Sequence, residues 1–348
     1  MNKKGLHSAI LSAILFGMSP VACKVIVGQM PSSLLAGLLY LGSGVALTGA
    51  ALQQRKNFYD TLSSFSWQQW AYLIGAIMAG GIAAPLFLAY SIRHGTATEV
   101  SLLLNFETVA TTLLAWMIFH EHIGHRVWIG KFFIIVASIL VVITGNGELK
   151  FSISGLSVLA ACLFWGIDNN LTRELESLPA SSLACIKGWS AGIFNIILSI
   201  FLYKSRVTAF QISGALTIGA LSYGLSLVLF IHALREIGSA RTSTWFASGP
   251  FIGAIFSVIL LGERPPIEYW VAALAMLSGM FFLYGERHIH THNHKSLAHA
   301  HPHTNDEHHI HEHDEGEDDE IKHDHYHVHE PIMHAHVHWP DIHHRHGH

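Results

Sequence analysis

The chain has 348 residues, a formal net charge of −4 and 51% hydrophobic residues. These averages hide two unlike segments. Residues 1–285 are mostly apolar and carry 16 basic against 11 acidic residues; residues 286–348 carry 4 basic against 13 acidic residues and 22 of the 28 histidines. So small a positive excess excludes a nucleic-acid-binding body, and the lack of long polar stretches before residue 286 leaves no room for a separate soluble domain.

Stretches of about 20 apolar residues recur along residues 1–285, and a helix of that length crosses the hydrocarbon core of a membrane. We number them spans 1 to 10. Their predicted limits are 6–28, 32–53, 67–91, 97–119, 125–145, 153–173, 180–203, 209–234, 240–262 and 266–285. Span 1 contains a lysine and lacks a clear cleavage site, which favours a retained helix over a signal peptide. The sequence therefore predicts an all-α integral membrane protein with ten transmembrane helices and a disordered tail at 286–348.

The distribution of lysine and arginine predicts an orientation. With a cytoplasmic N-terminus, eleven basic residues fall on the inner side and five on the outer side. Cytoplasmic segments of membrane proteins carry the excess of basic residues. We therefore expect both termini in the cytoplasm and the protein in a bacterial-type inner (plasma) membrane.

Short motifs recur between the two halves. The first-half motifs Leu86-Phe87-Leu88 and Gly95-Thr96-Ala97 match Leu229-Phe230-Ile231 and Gly238-Ser239-Ala240 at an offset of 143. Phe119-His120-Glu121 matches Leu261-Gly262-Glu263 at an offset of 142, and Phe16-Gly17 pairs with Trp165-Gly166. Three matches in one order predict two five-span repeats, at 1–145 and 146–285. Because five is odd, the second repeat is expected to be inverted, an arrangement found in secondary transporters.

These motifs resemble the drug/metabolite transporter superfamily, specifically the EamA-type family of ten-helix carriers. The resemblance covers residues 6–285. It rests on the Phe/Trp-Gly of the first helix in each half, the Gly-small-Ala step before the fourth helix and the Gly-Glu or equivalent that closes the fourth helix. It implies a carrier of small metabolites with a central cavity between the halves and no ATP-binding domain.

Motifs of catalysis are missing from the sequence. It has no HExxH zinc motif, no phosphate-binding loop and no Ser/His or Cys/His arrangement, so an enzyme is not expected. Cys23, Cys162 and Cys185 all lie inside apolar segments. They are predicted to be small packing residues and not a disulfide framework.

Polar and kink-forming residues inside the spans are the candidates for a substrate pathway, because ionisable groups are costly to place in hydrocarbon. They are Pro20, Lys24, Asn105, Glu107, Asp168, Asn169, Lys187 and Pro250. Glu107 lies near the middle of span 4, and the repeat sets it opposite Pro250, where the resembled family usually keeps proline in both halves. We interpret this carboxylate as a proton or cation site; a hydrogen-bonded packing residue is the alternative.

The other charged residues carry paired interpretations. Asp168 and Lys187 lie at similar predicted depths near the inner ends of spans 6 and 7, so they could pair as a packing contact or as a cytoplasmic gate. Lys24 either serves the pathway or snorkels to the lipid headgroups. Arg93 and Glu99 are predicted to form a surface pair at the outer turn between spans 3 and 4.

The tail indicates metal binding. Imidazole binds zinc, nickel and cobalt ions at neutral pH, and His-rich tracts are typical of metal sites. The predicted ligands are the alternating residues His288, His290, His292, His294, His299, His301, His303, His309, His311, His313, His323, His325, His327, His329, His334, His336 and His338. An expression tag and a solvated tail without a ligand are the alternatives.

Histidines of the membrane segment are weaker metal candidates. His120, His122 and His125 cluster with Glu121 at a predicted inner turn, and His232 lies in span 8. Helix-end contacts or polar packing are the alternatives for all four.

Together these features predict a secondary carrier that moves a transition-metal ion or a small metal-chelating metabolite, with a tail that binds Zn, Ni or Co and no required cofactor. One alternative is a metabolite or amino-acid exporter with a metal-sensing or buffering tail. Another is a membrane-anchored metal store or chaperone without transport. The expected partners are the solute and membrane lipid, with no nucleic acid, and a homodimer is left open.

Overall fold

The computed structural model describes residues 3–53, 61–119, 124–144, 151–175, 177–203, 206–237, 242 and 245–284, and in the tail 288–294, 297–303, 323–329 and 332–338. The chain divides into two compact units, Met1–Gly285 and Glu286–His348. The described elements of the first unit are all helical.

Spans 1 to 5 contain the first group of helices. These are α1 (Lys3–Gly17), α2 (Ser19–Val27), α3 (Ser32–Gln53), α4 (Trp67–Ala76), the π-helix π1 (Ile77–Ala83), α5 (Ala84–His94), α6 (Ala97–Leu103), α7 (Phe106–Phe119) and α8 (His125–Ile143). Spans 6 to 10 contain α9 (Ile153–Arg173), α10 (Ala180–Leu202), α11 (Ala209–Ile218), the π-helix π2 (Gly219–Leu225), α12 (Ser226–Ile237), α13 (Gly249–Leu261) and α14 (Ile267–Tyr284).

Seven of the described helical segments are long and apolar enough to cross a membrane, and they correspond to spans 1 to 5, 7 and 8. In span 9, α13 is a shorter apolar helix, as is most of α14 in span 10. In span 6, α9 has 21 residues but carries Asp168, Asn169, Asn170 and Arg173. The all-helical membrane architecture is confirmed, while the full number of ten crossings stays a prediction.

Large apolar side chains cover the outside of the bundle. Phe132, Phe201 and Phe281 have exposed fractions of 63%, 84% and 76%. Exposed aromatic rings at this density are unfavourable in water and favourable against lipid tails. The core lies between the helices and includes Cys23 and Cys162, both fully buried among apolar side chains, as predicted for packing residues.

Local structure repeats between the halves. Ser66 and Gln69 form a capping box at the start of α4, and Thr208 and Gln211 form another at the start of α11. Each box satisfies N–H groups that have no intrahelical acceptor. The two boxes are 142 residues apart, as are the starts of π1 and π2. The repeat read from motifs is therefore also present in the capping and in the helix type.

Helices pack mainly across the two halves. The second helices pack together, α3 on α10, and so do the fifth, α8 on α14. The first helix of each half packs on the third and fourth of the other: α1 contacts α12 and α13, while α9 contacts α5 and α7. Such an exchange is what two structural repeats produce when they face each other.

The Phe/Trp-Gly motif has a steric explanation. A Cβ atom on Gly17 would lie 2.1 Å from the carbonyl oxygen of Gly249, and a Cβ on Gly166 would lie 2.9 Å from the carbonyl carbon of Ala110. Any larger residue would force the backbones apart. Each motif glycine therefore permits the first helix of one half to touch the fourth helix of the other.

Spans 1 and 4 are discontinuous. Span 1 is divided at Met18 into α1 and α2, close to Pro20, and span 4 is divided between α6 and α7. Glu107 therefore lies in the first turn of α7, and Pro250 lies in the first turn of α13. Proline needs no partner for an N–H there, and a carboxylate is favoured by the positive end of the helix. Both residues thus suit the same helix start.

The tail contains four strands in the described segments: β1 (His288–His294), β2 (Leu297–His303), β3 (His323–His329) and β4 (Ile332–His338). Antiparallel pairing joins β1 to β4 and β2 to β3 in two separate two-stranded sheets. Histidine alternates there with other residues at a period of two, which is the period of a strand.

Candidate functional site

Polar side chains of spans 4, 6 and 7 meet inside the bundle. The Asn169 Nδ2 atom donates to Glu107 Oε1 at 2.9 Å and to Thr111 Oγ1 at 3.1 Å. The Lys187 Nζ atom lies 2.6 Å from Asp168 Oδ1 and 2.5 Å from Asp168 Oδ2. We call these five residues the polar cluster. It joins four of the predicted pathway residues.

Three consecutive residues of α9, two of them members of the cluster, contact different neighbours because helical residues point about 100° apart. Asp168 faces α10, Asn169 faces Glu107, and Asn170 donates to the Thr111 carbonyl at 3.1 Å. A glycine makes room for the carboxylate, since a Cβ on Gly80 would lie within 2 Å of Asp168 Oδ2. The π-helix that contains Gly80 thus shapes one wall of the cluster.

The charges of the cluster are shielded from water unequally. The side chains of Lys187 and Asp168 are 15% and 6% exposed, and Thr172 Oγ1 donates a further bond to Asp168 Oδ1 at 3.0 Å. Glu107 differs: among the described residues, no lysine or arginine lies within ion-pair distance of its carboxylate. The cluster therefore holds one acid that is paired with a cation and one acid whose described side-chain partner is an amide.

Aromatic rings adjoin the polar cluster. The Tyr40 and Tyr223 ring centroids are 6.0 Å apart, and Phe16 lies 6.1 Å from Tyr223 and 5.0 Å from Phe246. Ser19 Oγ and the Tyr223 hydroxyl are hydrogen-bonded at 3.1 Å. We call these five residues the aromatic group. They come from spans 1, 2 and 8 and from the segment that precedes α13.

One carbonyl connects the two sets. The Gly80 carbonyl accepts bonds from the Tyr40 hydroxyl at 2.6 Å and from Trp165 Nε1 at 3.2 Å, while the same glycine abuts Asp168. One residue on, the Gly81 carbonyl accepts from Asn195 Nδ2 at 3.3 Å. The Asn195 Oδ1 atom is buried without a hydrogen-bond partner. The polar cluster and the aromatic group thus form one continuous region between the halves.

The structure separates other predicted residues from this region. Asn105 donates to the Leu102 carbonyl at 3.0 Å and lies 3.8 Å from the Met276 sulfur, so it stabilises the break in span 4. Pro20 and Pro250 stand in the first turns of α2 and α13. None of the three has a described contact with the polar cluster.

Lys24 has a different environment from the one predicted. Its ammonium does not reach toward headgroups; it donates to the carbonyls of Ile92 at 2.8 Å and Gly95 at 2.5 Å. These carbonyls lie at the C-terminal end of α5, where the helix has no further N–H donors to offer. Lys24 therefore caps span 3 with a charge that suits a helix C-terminus.

The predicted surface pair of Arg93 and Glu99 is wrong. Glu99 is only 3% exposed and accepts hydrogen bonds from the hydroxyls of Ser152 and Ser154, the latter at 2.5 Å. Arg93 instead donates to Gln29 Oε1 at 3.3 Å. The serines are more than fifty residues from Glu99 along the chain, so no local pattern could have indicated them.

Two charged residues form internal hydrogen bonds that were not predicted from the sequence. Lys131 counted toward the basic inner side, but it is 5% exposed and donates to the Thr108 carbonyl at 2.8 Å, beside Glu107. Glu263 was noted only as a repeat motif. Its carboxylate accepts from the backbone N–H groups of Ala97 and Thr98 at 2.7 and 2.9 Å and so caps α6. The recurrence of a glutamate at the end of the fourth helix, Glu121 in the first half and Glu263 in the second, was the available signal.

The histidine candidates of the membrane segment are dispersed. His125 begins α8 and is exposed, whereas His120 and His122 lie outside the described residues. His232 is exposed, with its Nδ1 atom 3.3 Å from Ser8 Oγ. Among the side chains that the structure describes, no three of His, Cys, Asp or Glu are grouped as metal ligands.

Comparison with known proteins identifies the family. The model of the EamA-like transporter family matches residues 3–143 and, a second time, residues 153–285. The chain belongs to the EamA-like transporter family. The matches cover both halves of the membrane unit and leave out the tail.

Named relatives agree with this membership. An uncharacterised transporter of Methanothermobacter thermautotrophicus is 25% identical over 296 residues, covering 80% of this chain and 86% of the relative. The uncharacterised inner membrane transporter YicL of Salmonella typhimurium is 23% identical, covering 81% and 95%. A probable amino-acid metabolite efflux pump of the same organism is 24% identical, covering 82% and 97%.

A solved crystal structure has the same fold. It superposes with a TM-score of 0.60 at 14% identity, covering 81% of this chain and 96% of the other. Membership of the EamA-like family, together with the apolar helices, makes the protein a multi-pass membrane transporter of the drug/metabolite type. Small solutes and membrane lipid are the partners that this class implies.

Proposed function

We propose that the protein is a secondary transporter of a small organic metabolite with charged groups, and that the polar cluster and the aromatic group bind it. The observation that carries the proposal is the continuity of these two sets at Gly80. One end of the region offers carboxylates and an ammonium, and the other offers rings and hydroxyls. Binding sites for small organic solutes combine an apolar wall with a few fixed polar groups.

The Asp168–Lys187 pair suits a solute with both charges. The amino group of such a solute can pair with the Asp168 carboxylate while its carboxylate pairs with the Lys187 ammonium, so that no buried charge is left without a partner. The relative named as a probable amino-acid metabolite efflux pump is compatible with such a solute. A bare divalent cation would meet the ammonium of Lys187 at the same place.

Glu107 supplies a second function in this proposal. Its carboxylate has an amide partner and no described cation partner, in a bundle whose exterior is apolar. A carboxylate inside a membrane protein that lacks a fixed counter-ion can take up a proton or a cation. We assign Glu107 to the coupling of solute flux to a proton or cation. In this proposal the two halves are inverted and both termini are cytoplasmic, so that the site opens to each side of the membrane in turn.

A transition-metal ion or a metal-chelating metabolite is the second candidate cargo. The observation that favours it is the tail, with 22 histidines in residues 286–348. We propose that the tail binds divalent ions of the Zn, Ni or Co type beside a carrier whose organic cargo includes metal-chelating molecules. A metal store without transport is the remaining alternative.

Flux measurements on purified protein in proteoliposomes separate these functions. Counterflow of labelled amino acids, of a chelating amino-carboxylate with and without metal, and of Zn²⁺ or Ni²⁺ alone should be measured for the whole chain and for a chain lacking residues 288–348. We expect flux of organic solutes in both. Flux of free metal alone would favour the second candidate, and no flux of any solute would contradict transport.

A further inference from the structure

A cavity of about 340 Å³ lies between the start of α6 and the link from α13 to α14. We call it the end cavity. It is lined by Thr96 and Thr98 of the first half and by Glu263, Arg264, Pro265, Pro266 and Tyr269 of the second half. Its volume is within the range of about 300–1,000 Å³ that small-molecule sites occupy. No member of the polar cluster lines it, so the end cavity is a separate site.

The carboxylate that lines the end cavity is already engaged. Glu263 Oε1 accepts from the Ala97 N–H at 2.7 Å, and Glu263 Oε2 accepts from the Thr98 N–H at 2.9 Å and from the Thr98 hydroxyl at 2.6 Å. The two N–H groups stand at the start of α6, where a helix has no acceptor of its own for them. The charge of Glu263 therefore stabilises the contact between the two halves and needs no bound cation.

The other polar groups of the end cavity have unused donors. Tyr269 is only 3% exposed, and its hydroxyl has no hydrogen-bond partner among the described residues. The Arg264 guanidinium is exposed and likewise has no partner in the part of the chain that the structure describes. Thr96 Oγ1 accepts from the Glu99 N–H at 3.1 Å, which leaves the hydroxyl hydrogen of Thr96 to donate elsewhere. Because buried hydroxyls are nearly always hydrogen-bonded, the Tyr269 hydroxyl indicates a ligand that enters the cavity.

A set of unused donors around one cation favours an anionic ligand. A guanidinium forms two parallel hydrogen bonds with carboxylate or phosphate oxygens, and charge-assisted bonds are about twice as strong as neutral ones. Pro265 and Pro266 each fix a backbone φ angle between Arg264 and Tyr269. Less conformational freedom is therefore lost when a ligand binds.

We propose that the end cavity is a second binding site, which holds the carboxylate or phosphate oxygens of a small anion through Arg264, Tyr269 and Thr96. The site is independent of the polar cluster and goes beyond the proposed function. Thr96 belongs to the first half, whereas Arg264 and Tyr269 belong to the second. A bound anion therefore links the two halves at this end of the bundle and stabilises the folded protein.

Thermal melting of the full-length protein in detergent tests the site. Succinate, inorganic phosphate and chloride are compared at equal ionic strength. The site variant is Arg264→Gln/Tyr269→Phe. The matched control is Arg206→Gln/Tyr203→Phe, which makes the same two chemical changes at exposed residues outside the cavity.

We expect succinate or phosphate to raise the melting temperature of the wild type and of the control beyond the effect of chloride. The concentration for half of this effect should rise about tenfold or more in the site variant, because hydrogen bonds to a charged ligand are lost. Arg264→Gln alone changes an exposed side chain and gives the same test if Tyr269→Phe impairs folding. Equal anion dependence in the site variant and the control would overturn the proposal.

A second arm identifies the source of the anion. The same proteins are melted in micelles that contain phosphatidylglycerol or phosphatidylcholine. Stabilisation by phosphatidylglycerol that is lost in the site variant alone would assign the site to a lipid headgroup. Stabilisation by succinate or phosphate that is lost in the same way would assign it to a soluble anion. Either result supports an anion site in the end cavity, and the absence of both would overturn it.

A third variant separates the end cavity from the solute site of the proposed function. Asp168→Asn/Lys187→Met removes the charges of the polar cluster and leaves the end cavity unchanged. Stabilisation by the anion should persist in this variant. Its loss there, together with its survival in the site variant, would move anion binding to the polar cluster and overturn this inference while supporting the proposed function. Counterflow that is absent in a wild type still stabilised by the anion would contradict transport and leave the end cavity as a binding site.

Discussion

Two groups of crossing helices occupy equivalent places in the two repeats, yet their chemistry differs. The first crossing is formed by spans 4, 6 and 7, and the second by spans 9, 1 and 2. The first contains Glu107, Asp168 and Lys187. At the equivalent places the second has Pro250 for Glu107 and, two residues after the motif glycine, Ser19 for Asp168. Its neighbours are the rings of the aromatic group. The repeat supplies a shared packing scaffold, and one crossing carries the charges.

The difference suggests how one scaffold can bind an asymmetric solute. The shared features are backbone features: the motif glycines, the helix starts at α7 and α13, and the two π-helices. The side chains that follow them can differ between the repeats, because these shared features require only the backbone. A solute between the crossings would meet charges on one side and rings on the other.

Breaking the shared packing should have the largest effect. In Gly17→Leu, the new Cβ would lie 2.1 Å from the Gly249 carbonyl oxygen, so spans 1 and 9 must separate. Overpacking of this kind costs about 3 kcal/mol or more when backbone has to move. We expect no monodisperse protein after detergent extraction, as judged by size-exclusion chromatography and thermal melting.

Gly49→Leu is the matched control, because a Cβ on Gly49 meets nothing within 4 Å. This variant should extract and melt like the wild type. A Gly17→Leu protein with normal melting would contradict the steric explanation of the motif.

Breaking the ion pair should have the next largest effect. Lys187→Met leaves the Asp168 carboxylate without its counter-ion at a side-chain exposure of 6%. Removing one member of a buried pair costs about 3–5 kcal/mol, whereas replacing both with neutral groups costs far less. Thermal melting should therefore fall strongly in Lys187→Met and recover in the double variant with Asp168→Asn.

Transport measurements on the double variant distinguish a role of the pair in solute binding from a role in helix packing. The double variant should stay folded and lose flux of charged organic solutes. Normal flux in this folded double variant would show that the pair only stabilises the helices.

Removing the Glu107 carboxylate, in whose place the second crossing has Pro250, should affect the coupling of flux to protons more than folding. Glu107→Gln keeps an acceptor for Asn169. Glu107→Pro installs the residue that the second repeat has in the first turn of α13, at the loss of the 3.1 Å bond from the Glu107 N–H to the Leu104 carbonyl. We expect both proteins to fold and to lose the pH dependence of flux, since neither can exchange a proton. Wild-type pH dependence in either variant would reduce Glu107 to a structural residue.

Much of this comparison could be predicted from the sequence, and the reasons are physical. Hydropathy located seven of the spans because residues of a transmembrane helix face either lipid or an apolar core. The motif glycines marked the repeats because backbones touch there. Asp168 and Lys187 were recognisable as charges at similar depth. The contacts of Glu99 with Ser152 and Ser154, of Lys131 with Thr108, and the π-helix at Gly80 depend on how distant helices rotate, which no local pattern specifies.

Release of metal from the tail should have the smallest effect on transport. Acid should release its metal, because imidazole has a usual pKa of about 6.5 and its protonated form does not bind metal ions. Zn²⁺ bound at pH 7.5 should therefore dissociate below about pH 5.5, as measured by a fluorescent chelator, while flux of organic solutes keeps its maximal rate. Metal retained at pH 5 would point to ligands other than histidine.

Counterflow of a labelled zwitterionic solute into proteoliposomes, compared between the wild type and the folded Asp168→Asn/Lys187→Met variant, tests the solute site most directly. If the polar cluster binds the solute, the wild type should show saturable counterflow, and the variant should show at least a tenfold lower rate at equal protein incorporation. Equal counterflow in both proteins would contradict the assignment of the solute site to the polar cluster.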